Sequence, residues 1–191
     1  LDVSSIQNEI YGSGGYYFGW YFGLIRVNPT NDNEVYVGGI QLYRASITNP
    51  NNVIWDLADP EWWTYEVHAD KHDLFFIDGN TFMLATDGGL YKTTDLGGTW
   101  SDVENIPNTQ FYRVAYNPHN PSSYYGGAQD NGTTGGNALS FTLWDRIYGG
   151  DGFRAIFHPT DPLTYFCETQ NGAMVFTNDG GMNFFDFTSG I

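Results

Sequence analysis

Thr93-Thr94-Asp95-Leu96-Gly97-Gly98-Thr99-Trp100 is the stretch from which the rest of the sequence can be read. It has the form Thr-x-Asp-x-Gly-x-Thr-Trp, which describes a tight turn between two strands. The Asp95 carboxylate can accept hydrogen bonds from N–H groups inside the turn, glycine supplies positive φ, and Trp100 plugs the layer below. A second copy stands at Thr177-Asn178-Asp179-Gly180-Gly181-Met182-Asn183-Phe184. An apolar strand precedes each copy, at Gly89-Leu90-Tyr91-Lys92 and Ala173-Met174-Val175-Phe176.

Two weaker copies end at Trp55 and Trp144, so the closing aromatics Trp55, Trp100, Trp144 and Phe184 recur roughly every 40–45 residues. Other landmarks keep the same beat. Val27-Asn28-Pro29, Tyr116-Asn117-Pro118 and Phe157-His158-Pro159 correspond. So do Thr86-Asp87-Gly88-Gly89, Gln129-Asp130-Asn131-Gly132 and Gln170-Asn171-Gly172. A repeat of this length built from short strands indicates a β-propeller blade. Glycine is abundant and no long helical apolar periodicity is present, which argues against helical repeats. The fold expected is all-β, about four consecutive four-stranded blades of a larger propeller. Their limits fall near 24–66, 67–107, 108–149 and 150–188, behind an aromatic and Gly-rich lead-in over 1–23 from a preceding blade.

Composition narrows the function. The 191 residues carry a formal net charge of −15 with only seven Lys and Arg. That disfavours nucleic acid and anionic membrane surfaces, whose phosphates need basic partners. These residues are read as holding no apolar run long enough for membrane insertion and no signal-peptide pattern. The single cysteine, Cys167, rules out an intrachain disulfide. The start at Leu1 reads as that of a piece of a longer mature protein.

In a propeller, the start of strand A and the B–C turn share one face of the disc, and the A–B and C–D turns share the other. The Thr-x-Asp turns lie at C–D. Thr93, Asp95, Gly97, Trp100, Thr177, Asp179, Gly181 and Phe184 are therefore read as structural. The opposite face collects His68, Asp70, His72, Asp87, Gln129, Asp130 and Asp151 as ligand-binding candidates, with Gln110, Gln170 and Asn171 at equivalent places. His68, Asp70 and His72 alternate, which on a strand puts them on one side. They form either a metal ligand set or a hydrogen-bond network that locks the blade. Asp87, Asp130 and Asp151, each within two residues of a glycine, fit a Ca²⁺ loop or ordinary tight turns. Asp70, Asp87, Asp130 and Asp151 are the candidates for paired acid and base in glycoside hydrolysis. A sialidase-like site is disfavoured, because Arg113 and Arg154 occupy one repeat position and do not converge. The cluster Tyr16-Tyr17-Phe18-Gly19-Trp20-Tyr21-Phe22 reads either as buried packing or as a platform on which sugar rings stack. Asn131-Gly132-Thr133 matches a glycosylation sequon and is also a turn signal.

The two strong turns match the Asp box, or bacterial neuraminidase repeat. The ordered segments Val67–His72, Thr86–Tyr91, Thr109–Arg113, Gly126–Gly132 and Gly149–Gly152 add to this match. Together they make the chain, from about Gly19 onward, resemble the secreted neuraminidase-repeat, sortilin-like propeller proteins of Bacteroidota. Those are similar in architecture to sortilin ectodomains and to xyloglucanases built from paired propellers. The resemblance implies an exported or surface-attached bacterial protein, cargo of the type IX secretion machinery, whose partners are glycans or proteins. It does not carry the xyloglucanase catalytic aspartates onto numbered positions here. A binding module, a glycoside hydrolase and a structural passenger remain the three readings.

Overall fold

A computed structural model describes residues 2–15, 17–49, 53–104, 106, 109–140 and 144–188. Tyr16 of the aromatic cluster and Pro50, Asn51 and Asn52 of the weak first turn lie outside these residues. The described chain is all-β apart from short helical turns and holds four four-stranded antiparallel sheets, each a meander in sequence order. The first is β1 (Leu24–Asn28), β2 (Asn31–Gly38), β3 (Leu42–Ser46) and β4 (Asp56–Leu57). The second is β5 (Lys71–Phe76), β6 (Phe82–Thr86), β7 (Gly89–Thr93) and β8 (Ser101–Asp102). The third is β9 (Arg113–Asn117), β10 (Asn120–Ala128), β11 (Gly132–Asn137) and β12 (Trp144–Tyr148). The last is β13 (Ala155–Phe157), β14 (Tyr165–Glu168), β15 (Met174–Thr177) and β16 (Phe185–Asp186). These are β-propeller blades, and each outermost strand is short. The aromatic markers fall at that strand: Trp55, Trp100 and Phe184 directly precede it and Trp144 opens it. No helix among the described residues is long and apolar enough to cross a membrane.

The chain divides into two compact units, residues 1–104 and 105–191, each holding two blades. In the first unit, Leu24, Tyr36 and Leu42 of one sheet meet Leu74, Phe82, Leu84 and Tyr91 of the other, with Trp100 packed against the cluster. The back of the first sheet is covered differently. Residues 4–11 form a 3₁₀ turn, Ser4–Ile6, and a short helix, α1 (Gln7–Tyr11). Ile6 and Ile10 bury themselves on Val35 and Val37 there. The lead-in thus supplies a helical cover at this place, because two apolar side chains four apart share one helix face. In the second unit, Tyr165, Cys167 and Val175 form the buried centre, packed by Ile147, Tyr148, Phe157 and Phe184.

A buried ion pair joins the two blades of the first unit. Lys71 opens β5 and Asp59 follows β4; both side chains are fully buried, with Nζ 2.7 Å from Asp59 Oδ2. Nζ also donates to the Ile40 and His68 carbonyls, each at 2.8 Å. Asp59 Oδ1 accepts the Leu42 N–H at 2.9 Å, while Oδ2 has no aligned hydrogen-bond donor and is met by the ammonium charge. Burial pushes the Asp59 carboxyl up and the Lys71 amine down, and the mutual attraction opposes both shifts.

The two strong turns are closed by matching hydrogen bonds. Thr93 Oγ1 donates to Asp95 Oδ1 at 2.8 Å and accepts the Gly97 N–H at 2.9 Å. Thr177 does the same with Asp179 at 2.7 Å and Gly181 at 2.9 Å. Asp95 then accepts from the Thr99 N–H and hydroxyl, and Asp179 from the Asn183 N–H and side-chain amide.

Candidate functional site

The first unit gathers its candidates around Asp87, in the β6–β7 turn. The backbone there is set by short polar bonds: Gly88 N–H donates to Thr86 Oγ1 at 3.1 Å, and Asp87 N–H reaches the Asp70 carbonyl at 3.3 Å. Gly88 has no room for a side chain, because a Cβ there would lie 2.5 Å from the His68 ring. Glycine at this position is what lets the turn lie under His68.

His72 Nε2 stands 2.5 Å from Asp87 Oδ1, and the Tyr21 hydroxyl donates to Asp87 Oδ2 at 3.1 Å. Tyr21 meets the His72 ring edge-on, with centroids 5.2 Å apart and planes at 90°. Trp20 lies beside Tyr21 at 5.6 Å and is 81% exposed. The lead-in aromatics and the turn carboxylate, two separate features in the sequence, therefore form one constellation. An imidazole and a phenol fix the carboxylate, and an indole face is open to solvent. Asp70 completes it, with a carboxylate oxygen within 4.8 Å of one on Asp87. Burial, and next the Asp87 charge, push the Asp70 carboxyl above the usual range.

The alternation expected for His68, Asp70 and His72 does not occur. β5 begins at Lys71, and Asp70 takes φ of +61°, in the left-handed region. A register shift between Lys71 and Asp73 rotates the chain again. Period-two reasoning holds only inside a continuous strand, so the three side chains are not on one side. His68 Nδ1 turns to the Ala69 carbonyl at 3.1 Å while His72 goes to Asp87. Among the described residues these three do not gather as a three-donor set. The side chains of the first unit that could share a cation are Asp70 and Asp87. Two carboxylates fall short of the six to eight oxygens calcium takes, so backbone carbonyls or water would have to complete the shell.

In the second unit the candidates lock their own backbone. Asp130 sits at φ of +55°, and its N–H donates to Asp151 Oδ1 at 2.7 Å. Gly132 and Asp151 form an isolated parallel bridge. Gln129 Nε2 donates to Asp130 Oδ2 at 3.2 Å and Gln129 Oε1 accepts the Tyr112 hydroxyl at 2.6 Å. The Tyr112 ring stacks on Phe153 at 5.2 Å with planes 9° apart. Gln110 is exposed ahead of β9, and Gln170 and Asn171 sit in a helical turn after β14. Asp151 is thus a clamp on the Asp130 turn. Tyr112 and Phe153, far apart in the sequence, are physical partners.

No protein-family model matches this sequence, and no curated protein matches it. Among solved structures, an ancestral GH74 enzyme aligns with 88% of this chain at 16% identity and a TM-score of 0.36. The GH74 xyloglucanase from Xanthomonas campestris aligns with 86% at 13% identity and the same score. YCF48 bound to D1 peptide aligns with 81% at 11% identity and a TM-score of 0.34. The chain spans 25%, 29% and 63% of those three chains. The propeller assignment rests on the four meanders themselves rather than on these likenesses.

Proposed function

We propose that this chain is the ligand-binding part of an exported or cell-surface bacterial propeller protein, and that its first unit binds a neutral glycan. The observation that carries the binding reading is the Trp20–Tyr21–His72–Asp87 constellation. It offers a flat exposed ring beside a carboxylate held by two donors. Sugar rings stack on aromatic faces while their hydroxyls donate to fixed carboxylates. None of the four residues is Lys or Arg, which disfavours an acidic sugar. Export, and carriage by the type IX secretion machinery of Bacteroidota, follow the resemblance of the ordered segments around His68, Asp87, Gln129 and Asp151.

Binding of plant and microbial polysaccharides by isothermal titration calorimetry tests this reading. Trp20→Ala should weaken binding by roughly ten- to thirty-fold and Tyr21→Phe by less, since truncating a central aromatic removes most of a contact's energy. No binding to any glycan, or binding unaltered by Trp20→Ala, would overturn it in favour of a protein ligand or a structural passenger.

A second reading has its own observation. Asp70, with its carboxyl pushed up, beside Asp87, held by His72, is a pair of carboxyls in unlike environments, the arrangement acid–base hydrolysis uses. Release of reducing ends, abolished in both Asp70→Asn and Asp87→Asn, would convert the binding module into a glycoside hydrolase.

A further inference from the structure

The Lys71–Asp59 pair between the two blades of the first unit has a chemistry that neither glycan binding nor hydrolysis uses. Of the ion pairs among the described residues it alone is fully buried; Arg26–Asp73 and His72–Asp87 reach solvent. It also sets a primary amine, a nucleophile once uncharged, against a carboxyl group.

Its geometry differs from that of an ordinary salt bridge. Lys71 Nζ stands 2.7 Å from Asp59 Oδ2 but off the line of a hydrogen bond, so that oxygen has no aligned donor. The Ile40 and His68 carbonyls each accept a hydrogen of Nζ at 2.8 Å, and what remains on the nitrogen faces the carboxyl group. The other oxygen, Oδ1, is held by the Leu42 N–H at 2.9 Å and the Gln41 side-chain amide at 3.4 Å. Donors fixed on one oxygen of a carboxyl stabilise the negative charge it takes up when a nucleophile adds to the carbon. Reacting groups already held in contact need no further encounter.

We infer that Lys71 and Asp59 condense to an intramolecular isopeptide bond, a covalent cross-link between the exit of β4 and the start of β5. The ammonium first passes a proton to the carboxylate, giving the neutral amine and acid that a dry interior tolerates better than charges. Nζ then bonds to Asp59 Cγ, and Oδ1 becomes the oxyanion. As Oδ1 regains its double bond, the Cγ–Oδ2 bond breaks. Oδ2 leaves as water, carrying the acid proton and one hydrogen from the amine. The amide nitrogen keeps one hydrogen, which a flanking carbonyl accepts. The reaction is a dehydration and needs no oxidant or reductant. The product closes the segment from Asp59 to Lys71, with the Trp62–Trp63 turn inside it, into a ring. Like other cross-links it restrains the unfolded chain. The pair meets only in the folded chain, so condensation follows folding, and a chain not yet condensed shows the energetics of the ion pair alone.

Mass spectrometry tests this on protein kept folded at neutral pH until its mass is constant and then denatured. The intact protein should be one water lighter than its sequence. Peptide mapping locates the loss. Trypsin cuts after Lys71 only while its amine is free, which gives peptides 45–71 and 72–92. The linked protein should instead give one peptide, 45–92, lighter by one water. Aspartate can also lose water to the next backbone nitrogen, but Pro60 follows Asp59 and has no N–H, so that route is closed there. Lys71→Arg keeps the charge without the amine, and Asp59→Ala removes the carbon under attack. In both variants the peptide holding position 59 should keep its full mass. Tryptic cleavage after Lys71 throughout the wild-type sample would overturn the inference, and that measurement needs no variant to fold. A water loss that maps to Asp59 in Lys71→Arg would overturn it as well.

Discussion

At the scale of single residues, the two Thr-x-Asp turns show how a side chain replaces missing backbone partners. Hydrogen bonds from the Asn183 amide and N–H, with the Thr177 hydroxyl, hold the Asp179 carboxyl down at about 2. Those from Thr99 and Thr93 lower Asp95 as well. A depressed carboxylate stabilises the folded state above its unfolded value near 3.8 and loses that contribution as pH falls through the folded value. The Asn183 and Thr99 amides should therefore lose exchange protection between about pH 4 and 2, read by NMR, and Asp179→Ala should lose protection at Asn183 at neutral pH. Gly97 is a sharper test. Its φ is +97°, and a Cβ there would lie 2.2 Å from the Ala58 carbonyl oxygen. Gly97→Ala should cost about 1–3 kcal/mol or more in urea unfolding. Asp70 runs the opposite way. Its raised carboxyl makes the ionised form a liability in the folded state. Asp70→Asn should stabilise the protein at pH 7, with the gain fading as acid protonates the wild type. Asparagine also tolerates the left-handed backbone there.

At the scale of elements, the start of β5 is the joint of the first unit. Lys71 donates its N–H to Gly39 at 2.6 Å and buries its ammonium among Asp59 and two carbonyls. Removing one charge leaves the other uncompensated in a dry interior. Lys71→Met should cost about 3–5 kcal/mol, and Asp59→Asn with Lys71→Met should recover much of it, as a double-mutant cycle in urea would read. The sequence marks Lys71 weakly, as one of seven basic residues. It does not mark Asp59 at all, because a pair twelve positions apart across two blades has no local pattern. The sheets themselves are legible, since alternating apolar residues and glycine-rich turns are local signals. α1 was not legible: five residues carry too little periodicity to set a helix apart from a loop.

At the scale of the whole molecule, the net charge of −15 repels polyanions. Fluorescence anisotropy of labelled duplex DNA should show no binding even at low salt, where phosphate contacts are strongest. Each of the two units has its own buried clusters, Leu24 to Tyr91 in one and Tyr165 to Val175 in the other. Hydrogen exchange of Lys71→Met should therefore rise across residues 1–104 more than across 105–191.

The sequence by itself determined the repeat, the strand order within each sheet and the chemistry of the two strong turns. All of these are written in neighbours along the chain, where side-chain type and spacing act directly on backbone geometry. Only the tertiary structure decided that Tyr21 reaches Asp87 and that Lys71 meets Asp59. It also decided that His68, Asp70 and His72 part company. A left-handed residue and a shifted register undo an alternation that assumes an unbroken strand, and contacts between distant segments depend on how sheets stack, which no local spacing encodes.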